Sequence, residues 1–132
     1  MAYKGQPIPS TLVPITRAKI SDGKSVKVTV PANTEVLAQQ FYLLDEFFGV
    51  AMESIKTEKG QTEELTLSIE QAEYETDNIV ATESFNTGDL IYWNDTEKKF
   101  TTTKDANRLV GKVTVPKDSN NVIWFLLLPQ QA

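Results

Sequence analysis

The chain has 132 residues, 40% of them apolar and 23% charged, with a formal net charge of −5 and a pI near 4.7. That is one domain's worth of chain with enough apolar residues for a modest core, and it is too apolar for disorder by composition. It contains neither cysteine nor histidine, which excludes disulfides, thiolate nucleophiles, zinc knuckles and every catalytic constellation that needs an imidazole.

The first 22 residues do not read as core. Pro7, Pro9 and Pro14 break helices and cannot donate to a β-ladder, so the segment favours extended backbone. Ile8, Leu12, Val13, Ile15 and Ile20 are interspersed among them, so the stretch is expected to be an arm that lies along another surface. Charge supports a separate environment for it. Residues 1–30 carry a net +4, residues 31–83 a net −10 and residues 84–132 a net +1. No basic start, apolar stretch and small-residue cleavage site mark a signal peptide, and the longest apolar run, Val122 to Leu128, is strand-sized. A chain made and assembled in a cytoplasm and independent of membranes is the expectation.

From Lys24 onward the pattern is short strands and turns. Val26, Val28 and Val30 alternate with Lys27 and Thr29, as in a half-buried strand. Thr34 before Glu35-Val36-Leu37-Ala38 predicts one capped helical turn. Phe41 to Leu44 and Phe47 to Met52 read as a hairpin turning at Asp45-Glu46, and Leu65, Leu67 and Ile69 give a further alternating strand. Ile79 to Ala81 is a short strand candidate. Leu90 to Trp93 and Phe100 to Thr103 form a second hairpin around Asn94-Asp95-Thr96-Glu97, and a strand returns through Gly111. The apolar run at Val122 to Leu128 predicts a central or covered strand.

The order of hairpin, paired apolar residues before a glycine, polar loop and alternating strand occurs twice, around Gly49 and around Gly111. The two glycines, each inside a strand pattern, are expected at bulges or bends. The fold class predicted is mainly β: a small barrel or sandwich built from two related hairpin-plus-strand halves. The chain divides into an extended arm at 1–22 and one β domain at 23–132.

Only carboxylate chemistry is open to a chain without histidine or cysteine. Glu63, Glu64, Glu70, Glu73, Glu75, Asp77 and Glu83 are dense on strands and loops, the usual pattern of a solvated face. No EF-hand spacing, phosphate-binding glycine motif or basic aromatic-studded face is present, so neither catalysis nor a metal, cofactor or nucleic-acid partner is expected. In Tyr92-Trp93 and Trp124-Phe125, neighbouring side chains on a strand point to opposite faces. One large aromatic of each pair is therefore expected to face away from a single core, which favours a contact between subunits, although a two-layer barrel would also hide it.

The stretch GDLIYWNDTEKKFTTT, with NRLVGKV after it and FYLLDEFFGVA before it, resembles the capsid cement, or head decoration, proteins of tailed bacteriophages. The resemblance spans roughly Lys24 to Leu128, and the Pro-containing basic arm lies outside it. It implies a structural, non-enzymatic virion protein that binds the outer surface of the assembled capsid and stabilises the shell. Its partners would be the phage major capsid protein and further copies of itself, with a trimer favoured. Candidate capsid or subunit contacts are Lys4, Ile8, Leu12, Val13, Arg17 and Lys19 in the arm and Tyr92, Trp93 and Trp124 in the domain. Two alternatives use the same features: the base of a head fibre, or a carbohydrate-binding β-module with exposed Trp and Tyr as its platform.

Overall fold

A computed structural model describes residues 18–131. Among them there are eleven strands and no helix. They are β1 (Ser25–Val30), β2 (Glu35–Val36), β3 (Phe41–Leu44), β4 (Phe47–Ala51), β5 (Ile55–Lys56) and β6 (Glu63–Ser68). Then follow β7 (Glu73–Thr76), β8 (Leu90–Asn94), β9 (Lys99–Thr101), β10 (Arg108–Val115) and β11 (Ile123–Leu127). They form a four-stranded sheet ordered β1-β6-β4-β3, a five-stranded sheet ordered β7-β11-β10-β8-β9 and a ribbon of β2 with β5.

The two large sheets are copies of one design. Each takes four strands of its half in a Greek-key order, the first strand of the half lying beside the last. With Gly49 aligned on Gly111 the ladders agree row by row. Tyr42 faces Gly49 as Ile91 faces Gly111, and Val50 faces Ser68 as Lys112 faces Leu126. Ser25 faces Ser68 as Glu73 faces Leu126. The duplication expected from the sequence is therefore present, with a different assignment of strands. The equivalents of β3 and β4 are β8 and β10, and β9 is an addition at the edge.

The glycines explain why the copies share a register. A Cβ on Gly49 would collide with the carbonyl oxygen of Ser68 on β6, and one on Gly111 would stand 2.8 Å from the ring of Phe125 on β11. Both mark a close approach of the third strand of a half to its fourth. Gly111 also sits at a register shift against β8, as predicted, whereas the β3–β4 ladder through Gly49 is regular. Gly49 is a point of contact between backbones, not a bulge.

The halves are nested. The inner face of the first sheet holds Val28, Val30, Leu65, Leu67 and Ala51, closed over by Val36 and Ile55 of the ribbon. Its outer face, through Phe41, Phe48 and Val50, packs into the inner face of the second sheet with Trp93, Phe100 and Phe125. Ring centroids there lie 5.0 Å apart for Phe48–Trp93, 5.3 Å for Phe41–Phe100 and 5.4 Å for Phe41–Phe125, within the range of favourable aromatic pairs. Strands β3 and β4 are thus covered on both faces, which is why their sequence reads as continuous rather than alternating apolar residues.

Polar groups tie strands and halves together. The β3–β4 turn has Asp45 and Glu46 both at positive φ (50° and 67°), the two-residue geometry that matches strand twist. It points the Asp45 carboxylate at β1, where the Thr29 N–H donates to it at 2.7 Å and draws the edges of the first sheet together. After β11, the Gln130 amide accepts from the Phe48 N–H and donates to the Phe48 carbonyl, both at 2.8 Å. The side chain thus continues the ladder where β6 has diverged from β4. Arg108 donates to the carbonyls of Glu46 and Gln131 at 2.8 and 2.6 Å.

Two local expectations are corrected. Glu35 and Val36 form a strand with β5, not a helical turn: Thr34 donates its hydroxyl to Ala32, and its N–H is taken by the buried hydroxyl of Thr57. Ile79 makes a single parallel bridge to Phe100 in place of a strand of its own.

Candidate contact surface

The expected arm contacts Lys4, Ile8, Leu12, Val13 and Arg17 lie outside the described residues. Lys19 is described and exposed, ion-paired with Asp22 at 2.8 Å. Beside it Ile20 is 56% exposed. Among the described residues the chain makes no strand pairing before Ser25.

The two aromatic pairs behave differently. Trp93 points into the central core, 2% exposed, with its indole N–H donating to Asp95 at 3.1 Å. Tyr92 points to the opposite face, yet it is covered between Leu109 and Thr101 of the neighbouring strands and is 8% exposed. One ring of the pair does point away from the core, but neither is presented at the surface, so Tyr92 and Trp93 do not form the exposed subunit contact expected of them. In the second pair the expectation fits: Phe125 is buried and Trp124 is 44% exposed. The Trp124 indole N–H donates to Glu75 across the ladder at 3.1 Å, which holds the ring against the outer face of the second sheet.

Sequence reasoning missed the company Trp124 keeps. Leu126, on the same face two residues on, is 42% exposed, Leu90 on β8 is 43% exposed and Val115 on β10 is 38% exposed. Strand β11 itself alternates buried and exposed residues, so its apolar run means a central strand with one face unpaired. The signal was available: on the equivalent strand β6 the outward positions are Thr66 and Ser68, whereas here they are Trp124 and Leu126.

Of the candidate carboxylates, Glu83 has a structural role. Glu83, in the loop between β7 and β8, accepts from the hydroxyls of Thr101, Thr102 and Thr103 and from the Thr102 N–H at 2.7 to 3.2 Å. Burial acts to raise its pKa, and the bonds from the Thr102 N–H and the three hydroxyls outweigh it, so the pKa lies below its usual 4.5. A carboxylate held ionised by four donors fastens a loop to β9 and is poorly suited to carry a proton. Two open depressions, of about 490 Å³ beside Phe41 and Tyr74 and about 410 Å³ beside Glu83, are lined by mixed polar and apolar residues. Among the described residues no group of three His, Cys, Asp or Glu side chains is placed to hold a metal ion, and no helix is long and apolar enough to cross a membrane.

The family model of the phage cement proteins matches residues 20–128, that is, both halves of the β domain from just before β1 to the end of β11. The chain belongs to the phage cement protein family. It is accordingly a structural virion protein with a capsid-stabilising role, and family membership places it on the phage capsid. Among solved structures it is similar to the N base of head fiber gp8.5 in bacteriophage phi29, at 13% identity and a TM-score of 0.45, with 82% of this chain and 98% of that one covered. No curated protein matches.

Proposed function

We propose that this protein, made in the host cytoplasm, binds the outer surface of the assembled capsid as a homo-oligomer, with a trimer favoured, and carries out no catalysis. The observation that carries this reading is the family match over the whole β domain. Cementing needs only binding. A protein that bridges neighbouring capsid subunits in the intact shell loses those contacts when the shell ruptures, so binding stabilises the intact state by linkage. At a hundredfold excess over the dissociation constant that is worth about 2.7 kcal/mol per site.

Residues 1–22 are assigned the shell contact. Lys4, Arg17 and Lys19 supply the positive charge, and Ile8, Leu12 and Val13 the apolar contact. Two observations support this: the family match begins at residue 20, and the described part of the segment makes no strand pairing with the domain. The test is deletion of residues 1–22 followed by co-sedimentation with purified heads. A truncated protein that keeps its melting temperature and no longer pellets with heads is the expected result; unchanged decoration would reject the arm's role. The domain is assigned no nucleic-acid or membrane partner.

A further inference from the structure

We propose that the outer face of the second sheet, centred on Trp124 and Leu126, is where copies of this chain bind one another. The inference deepens the oligomer assigned above and is independent of how the arm meets the shell.

The duplication points to this face. In the first sheet, Phe41 and Val50 lie on the outer face and are each 6% exposed, because the second sheet closes over them. The residues at the same ladder positions in the second sheet are Leu90 and Lys112. Nothing within the described residues closes over those. One half's outer face is therefore sheathed by the other half, and the other half's outer face is left open.

The residues of that open face are those of a contact. One row across the sheet runs Glu73, Leu126, Lys112, Leu90, and the next runs Glu75, Trp124, Val115. An apolar centre is thus flanked by carboxylates on the β7 side, with a cation near the β8 side. Glu73 accepts from Thr114 at 2.6 Å and Glu75 from Trp124, while Lys112 has no ion-pair partner among the described residues. A second copy brings what the face lacks: a carboxylate for each Lys112, a lysine for each Glu73, and a matching apolar strip. The outer face of β1 and β6 offers no such match, since Ser25, Lys27, Thr29 and Thr66 there are polar. The inner face of the first sheet is already sealed by the ribbon.

The test is light scattering on the full-length protein, without heads, at matched concentrations. Wild type is expected at a multiple of the 14.8 kDa chain mass, and Leu126→Asp at the mass of one chain with unchanged circular dichroism. Because residues 112 and 73 are exposed, charge reversal tests the same face without touching the core. Lys112→Glu and Glu73→Lys are each expected to weaken association about 10-fold or more, and the double variant to return to within about threefold of wild type. A single-chain mass for the wild type overturns the proposal, as does a Leu126→Asp protein of unchanged mass or a double reversal that associates no better than the singles. If Leu126→Asp keeps its mass and loses heads, the face belongs to the shell.

Discussion

Glu83 and the two strand glycines show how single residues set the stability of this domain. The Glu83 pKa is depressed in the folded state, so its stabilising effect is present above the unfolded value near 4.5 and is lost as pH falls through the lower folded value. Acid unfolding of wild type should therefore show a loss of stability below about pH 4.5 that is smaller in Glu83→Gln, a comparison made by thermal melts at several pH values. At neutral pH the same substitution, which leaves some of the four donors without an acceptor, should cost about 1–3 kcal/mol. Gly49→Ala should be more severe than a typical surface change, because the obstacle is the backbone of β6 rather than a movable side chain. The sequence marks both glycines as special, but only the ladder distinguishes a bulge from a close approach. Nothing in the sequence links Glu83 to three threonines about twenty residues away; that contact exists only because β9 folds back beside the loop.

Strands and turns were most legible where one face is wet. The alternation in β1 and β6 is plain in the sequence because their outward residues remain solvated. Strands β3 and β4 were placed by the Asp45-Glu46 turn, not by period, since both of their faces are covered by apolar neighbours. The β2–β5 ribbon was not legible: two residues per strand carry no period, and Thr34 looks like a cap until Thr57 is seen to bond its N–H. The hairpin turn gives a direct test. Asp45→Ala removes the acceptor of the Thr29 N–H and should destabilise the domain by about 1–2 kcal/mol, measured by urea unfolding. Glu46→Gly, which relieves a positive φ of 67°, should cost less than Asp45→Ala or raise stability.

At the scale of the whole molecule, the sequence disclosed a twofold repeat, and the structure shows what the repeat is for. Neither half is expected to fold alone, because Phe41, Phe48 and Val50 on the first sheet and Trp93, Phe100 and Phe125 on the second would exchange each other for water. A fragment ending at residue 70 is expected to lack dispersed amide resonances, and mixing it with residues 71–132 should restore them. The nesting itself was not legible, since strand periodicity gives the faces of a sheet but not which sheet lies over which.

The ribbon of β2 and β5 has a consequence for how many copies can join. Two nested sheets with both ends open would present unlike apolar surfaces, and head-to-tail addition would run on as a filament. Here one end is shut by Val36 and Ile55. If copies pair through the outer face of the second sheet, as proposed, like surface meets like, and such an assembly closes instead of extending as a filament.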